Sequence, residues 1–450
     1  MKKGQSIQEI FRTMTVPQAV KTMAMPAVIS QLIVLVYNLA DTYFVGQTNN
    51  PYMVAGVSLL LPVFNLTMAL GGLFGIGGGA LLPKLLALGQ REEASRTAAF
   101  CARLGAAVAL GFSLGMLLLI RPVLTALGAG ANTYAYARTY ALLVLVLGGL
   151  PTVLSNVLSN LLRSLGLSRE AGIGVALGGV LNLALDPLFM FVLLPRGREV
   201  LGVGIATLLS NLIACSYCLF VFLRRQTVID ARFGGPRPRG ENCRAVFAVG
   251  VPGTVGTLLF DADYMVLDRL AAGYSDTALA AIGIVLKAER LPQQIGIGLC
   301  QGMVPLVAYS YALKDYDRLR KIQGCTLTAG LAVAVISVTA YELFTPQIVR
   351  FFIQDPATLA LGIRFLRVRS LAAVIMFFCF FAVFFYQGLG NGRRSLLLAV
   401  LRWAGLNIPM LFLLNRLMGM DGLVWAQVVS DVITVLASYT ILWRDMRHWT

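Results

Sequence analysis

A chain of 450 residues with 58% hydrophobic content, 13% charged content and a mean hydropathy of +0.77 holds more apolar surface than a soluble core can hide; ordinary soluble domains are about 25% charged. Bilayer lipid is therefore the expected solvent. The formal charge of +16 would suggest nucleic acid in a soluble protein, but here the basic residues sit in short segments between apolar runs, which is a topology signal.

Lys2 and Lys3 precede no apolar run before about Met25 and no small-residue cleavage pattern, so no signal peptide is expected. A span needs about 20 predominantly apolar residues. That ruler gives candidates over Met25 to Val45, Met53 to Leu82, Leu104 to Leu127, Tyr140 to Leu162, Ala171 to Leu194 and Leu201 to Leu223. A second group covers Ala245 to Leu270, Ala278 to Val307, Ile322 to Leu343, Leu371 to Leu389, Leu396 to Leu414 and Leu423 to Trp443. The expectation is an all-α integral membrane protein of twelve transmembrane helices in two pseudo-symmetric six-helix bundles.

The first candidate span carries Asp41 toward its outer end, with Asn38 one turn earlier on the same face. A carboxylate at mid-membrane costs about 2.5 to 3.5 kcal/mol on insertion scales unless it meets water, a cation or a proton. The fourth span places Asn156 and Asn160 on one face, though amides at depth are more often glue between helices than ligands. In the fifth, Asp186 follows Asn182 by four residues, and Pro187 frees a backbone carbonyl close by. Asn and Asp at that spacing offer oxygens to one hard cation, or a carboxyl with a hydrogen-bonding neighbour. The sixth opens with Thr207. Cys215 and Cys218 form a CxxC inside it, but no second pair and only one His, His448, accompany them, so neither a disulfide framework nor a zinc site is expected from the seven scattered cysteines.

The stretch Arg224 to Arg244 is rich in Arg, Gly and Pro, as expected of a cytoplasmic linker between an amino-terminal lobe, 1–223, and a carboxy-terminal lobe, 245–450. Basic residues concentrate in the even-numbered turns, which puts both termini in the cytoplasm. In the second half, Asp261, Asp263, Asp268, Lys287, Glu289, Arg290 and Asp431 interrupt the apolar runs. Glu289 is expected to pair with Arg290. Asp261 and Lys287 are candidates for lining a cavity, and the run FFCFFAVFF from Phe377 reads as lipid-facing and packing surface. Strings in the two halves match at a spacing of roughly 220 to 225 residues, an internal symmetry used by transporters. Substrate should then sit between like-facing halves. No nucleophile elbow, phosphate loop or HExxH occurs, so no enzyme is expected and energy should come from an ion gradient.

With DTYFVG ending the first helix, LRSLG before the fifth, NLALDP within it and GIAT opening the sixth, the chain resembles the multidrug and toxic compound extrusion (MATE) family over essentially its whole length, the DinF-like branch most closely. The resemblance implies a cation-coupled antiporter that exports amphipathic, usually cationic drugs across the cytoplasmic membrane by alternating access. It implies an amino-terminal-lobe sodium or proton site at Asp41, Asn182, Asp186 and Thr207, which would be metal ligands only under sodium coupling. Asn160 or Ser159 falls near the family's fourth-helix amide. Asn38, Asn156, Asn160, Asp261 and Lys287 are the expected cavity residues. The partners implied are a drug-like small molecule and membrane lipid, with no nucleic acid, no cofactor besides Na+ or H+, and a monomeric state. In the NorM-like branch the second half also carries coupling acids; Asp261 matches the seventh-helix acid, but Leu371 to Leu389 contains none. The alternative is a lipid-linked oligosaccharide flippase of the same superfamily, whose cavity would need several cations for phosphate; Lys287 and Arg402 are the interior candidates.

Overall fold

The computed structural model describes residues 9–224 and 236–447. Lys2, Lys3, His448 and residues 225–235 of the expected linker lie outside the described residues.

Nearly all the described chain is helical. The span-length helices are α1 (Val16–Gly46), α2 (Pro51–Ala87), α3 (Arg91–Leu118), α4 (Ala131–Leu147 with Gly149–Ser164), α5 (Ser168–Leu193), α6 (Glu199–Arg224), α7 (Gly240–Ala272), α8 (Asp276–Ala312), α9 (Tyr316–Phe352), α10 (Pro356–Ser370 with Ala372–Gly388), α11 (Gly392–Met418) and α12 (Met420–Met446). Among the described residues ten of these are long and apolar enough to cross a membrane as they stand, and the two pairs, each bent by 46°, make twelve if each counts as one span. The bend in α4 falls at Gly148, where a Cβ would lie 2.5 Å from the Val144 carbonyl oxygen; only glycine tolerates that approach.

The first half of α10 lies outside the expected tenth span because Arg364, Arg367 and Arg369 lower its hydropathy. Two of these cations are paired, Arg364 with Asp421 and Arg369 with Glu289. Several helices start where a side chain accepts an otherwise orphaned backbone N–H: Asn50 from Tyr52, Ser275 from Ala278, Asp315 from Arg318 and Asn391 from Arg394. Asp355 does so before α10, and the Thr358 amide and hydroxyl hold its carboxyl below the usual range.

The chain forms two compact units, Met1–Thr13 with Ile29–Thr254, and Met14–Val28 with Val255–Thr450. Helix α1 thus gives its first part to unit 2, and α7 gives its first part to unit 1. Each crossing falls within three residues of a helix-interior proline, Pro26 or Pro252, which removes a backbone hydrogen bond.

Unit 1 packs through glycines on α2. A Cβ on Gly71 would touch Asn156 at 3.0 Å, one on Gly75 would touch Asn160 at 2.9 Å, and one on Gly78 would meet Leu161 at 2.7 Å. The opposite side of α2 receives the first part of α7, where Gly250 lies so near Leu73 that a Cβ would stand 2.0 Å from its carbonyl oxygen. Backbone cannot yield as a side-chain tip can. Gly250→Ala is therefore expected to cost roughly 1–3 kcal/mol, read as a lowered melting temperature of the purified protein; an unchanged value would contradict this packing.

In unit 2 the first part of α1 lies against α8, with Ala24 over Gly302 and Val28 over Gly298. The core there is built from Leu267, Ile282, Val285, Phe365, Leu366 and Leu423. No residue from Ala372 to Gly388 is exposed. Phe377, Phe381 and Phe385 are buried in a row with ring centroids 6.5 and 5.6 Å apart, so the aromatic run packs inside the unit instead of facing lipid.

Candidate ion-coupling site

Asp186 and Asn182 share a face of α5 with Gly179 and Gly178, and this face decides what surrounds them. At Gly179 a Cβ would lie 2.7 Å from Ile33 and 2.9 Å from Tyr37 of α1, so the bare glycine admits the α1 face that also carries Asp41. Toward α6, Gly174 packs on Cys218 and Gly178 on Ala214, an antiparallel register that continues to Asn182 and Thr207. Small residues thus draw three helices together around one acid.

Asn182 Nδ2 donates to Asp186 Oδ1 at 3.2 Å and to Thr207 Oγ1 at 3.4 Å. Asn182 is 5% exposed and Asp186 fully buried. Asp186 Oδ2 and Asp41 Oδ1 are buried without a hydrogen-bond partner among the described residues. The two carboxylates interact electrostatically with each other and both with Tyr140, whose hydroxyl also meets Thr207. Tyr37 joins the group beside Asp41. Two neighbouring anions with orphaned oxygens repel strongly where water is excluded. A proton or a hard cation at that place removes the repulsion and supplies the missing partner.

The structure brings Asp41, Asn182, Asp186 and Thr207 into one cluster, all in unit 1. It adds Tyr37 and Tyr140, which sequence reasoning missed. Tyr37 stands one turn before Asp41 and carried a signal of sorts in YNLAD; Tyr140, on a helix distant in sequence, carried none. Asn38 is exposed, and its carbonyl accepts from Thr42 Oγ1 at 2.9 Å. Asn156 and Asn160 lie half-buried against the α2 glycines; Asn156 donates to the Met68 carbonyl at 3.0 Å, and Asn160 to Asn156 Oδ1 at 2.9 Å. Asp261 is half-buried and within electrostatic reach of Arg290, while Lys287 is exposed.

Glu289 does not pair with Arg290. Its two oxygens accept from Arg369 Nε and Nη2 at 2.7 and 2.9 Å, and both side chains are at least 96% buried. Adjacent residues on a helix point in different directions, so Arg290 was never positioned to reach it.

Two units of apolar helices, one of them enclosing an acid–amide–hydroxyl cluster, define an integral membrane protein of transporter type. The MatE family model matches residues 26–188 and 252–413, segments displaced by about 225 residues and one in each half, and the chain belongs to that family. The chain is 28% identical over 441 residues to the multidrug export protein MepA of Staphylococcus saprophyticus, covering 96% of this chain and 95% of that protein. It is 27% identical over 433 residues to MepA of Staphylococcus aureus, with the same coverage. Among solved structures, an outward-facing multidrug resistance MATE transporter of the MOP superfamily superposes with a TM-score of 0.91 at 23% identity, covering 99% of this chain and 98% of that one. At that identity the likeness concerns the fold.

Proposed function

We propose that the protein is an antiporter that exports amphipathic, usually cationic drugs across the cytoplasmic membrane in exchange for Na+ or H+, with both termini in the cytoplasm. The observation that carries the reading is the pair of buried, partnerless carboxylate oxygens on Asp41 and Asp186, with Asn182 and Thr207 completing the cluster. Occupancy by an ion or proton relieves the repulsion between the two acids, so the ion stabilises whichever state closes the cluster. Coupling requires that drug and ion each bind the two states of an alternating-access cycle with different affinity. The multidrug export named for both staphylococcal relatives supports the substrate class. The flippase reading loses support because Arg402, its deepest cation, is committed to Asp431.

Efflux of a fluorescent cationic drug from proteoliposomes, with sodium and proton gradients imposed separately, tests the proposal. Acceleration by at least one gradient is expected. Export indifferent to both would overturn it.

A further inference from the structure

Unit 2 holds a second polar cluster, at positions related to the first by the internal repeat. Asn407 on α11 stands 225 residues after Asn182, and Asp431 on α12 stands 224 after Thr207, the spacing that separates the two family-matched segments. Helix α11 widens to a π-type turn over Leu401–Asn407, which brings residues five apart onto one side. Arg402 and Asn407 therefore enter the same interior. Asn407 Nδ2 donates to Asp263 Oδ2 at 2.7 Å and to Gln427 Oε1 at 3.1 Å, and Gln427 Nε2 donates to Asp431 Oδ2 at 2.8 Å. All five side chains belong to residues no more than 3% exposed.

Like unit 1 it holds two acids and an Asn, but a second amide, Gln427, stands in place of the hydroxyls, and a cation is added. A guanidinium lies on Asp431: Arg402 Nε donates to Asp431 Oδ1 at 2.8 Å and Nη2 to Oδ2 at 3.1 Å, while Trp403 and Phe380 cover it at 4.0 and 4.6 Å from their ring centroids. Oxygens remain to spare, since Asp263 Oδ1 and Asn407 Oδ1 are buried with no partner among the described residues. The nearby pair of Glu289 and Arg369 is internally neutral and also faces Asp263 and Asp431. Arg402 thus brings one positive charge to the two carboxylates Asp263 and Asp431, as a single bound ion would, and spends its hydrogen bonds on Asp431.

We infer that Arg402 is a tethered cation that fills in unit 2 the place an ion fills in unit 1, confining metal-ion binding to unit 1 and masking a latent sodium site made by Asp263, Asn407, Gln427 and Asp431. This rests on the reading of unit 1 as the coupling site and goes beyond it by limiting ion binding to a single lobe. Removing the guanidinium leaves two carboxylates and two amide carbonyls, a donor set suited to a hard cation. Keeping a positive charge there keeps the site closed.

The test is equilibrium binding of radioactive Na+ to purified full-length protein. Arg402→Gln is expected to bind an additional equivalent of Na+ over the unmodified protein, Arg402→Lys to bind none, and Arg402→Gln with Asp263→Asn to lose the gain. The gain is a difference, so it is read even if unit 1 takes only protons and the proposed sodium exchange fails. A folded Arg402→Gln variant without extra Na+ would overturn the inference. Should that variant not fold, Asp186→Asn with Arg402 intact decides: the expected result is no bound Na+, and residual binding removed by adding Asp263→Asn would sink the idea.

Discussion

Asp186→Asn is expected to leave the protein folded and inserted while lowering gradient-driven efflux by about 100-fold, the scale of a typical coupling free energy. The substitution preserves volume, and the new carbonyl can still accept from Asn182 Nδ2, the one side-chain hydrogen bond of Asp186 among the described residues. What disappears is the negative charge that the ion must neutralise. Because a carboxylate at depth is itself costly, the melting temperature should hold or rise. The measurement pairs thermal unfolding with drug efflux in proteoliposomes. Asp41→Asn is expected to behave alike, since Asp41 Oδ1 is equally without a partner among the described residues. Unchanged efflux with either variant would remove the carboxylates from the mechanism; a collapse in stability together with efflux would reassign them to packing.

The largest stability effect is expected at Glu289 and Arg369. Glu289→Gln leaves a guanidinium at least 96% buried without its bidentate carboxylate partner, and breaking such a pair costs roughly 3–5 kcal/mol. Arg369→Met alone should cost a similar amount by stranding Glu289. Replacing both, Glu289→Gln with Arg369→Met, is expected to recover much of the loss, because the penalty lies in an uncompensated charge and not in the absence of the bridge. Unfolding of the two single variants and the double variant in detergent closes the cycle. Additive losses would show that each side chain is held by something other than its partner.

The two positions contrast in how far they could be read beforehand. Asp41, Asn182 and Asp186 stood out because each is a polar residue inside an apolar run, and the four-residue step from Asn182 to Asp186 places them on one helix face. That is information local to a helix. Glu289 carried the same local signal, yet its partner lies 80 residues away on a segment whose three arginines made it look too polar to be buried. Hydropathy counts charges one by one and cannot see that two cancel.

The extents of the helices show the same limit. The expected fourth span began at Tyr140, whereas α4 runs from Ala131 and breaks at Gly148; the break depends on backbone geometry that apolar content does not encode. Tyr140 then reaches Thr207 and the two acids from a helix separated in the chain from all of them.

Sequence alone determined that this protein lives in lipid, that its halves repeat and that two acids of its first half demand an explanation, because the price of an apolar run or a buried charge is set residue by residue. Tertiary structure decided which charges are already answered, Glu289 by Arg369 and Asp431 by Arg402, and which keep an oxygen open among the described residues, Asp41 and Asp186 in unit 1 and Asp263 in unit 2. Electrostatic compensation acts through space between helices, and only their packing, governed by glycines such as Gly179 and Gly178, places one charge within reach of another.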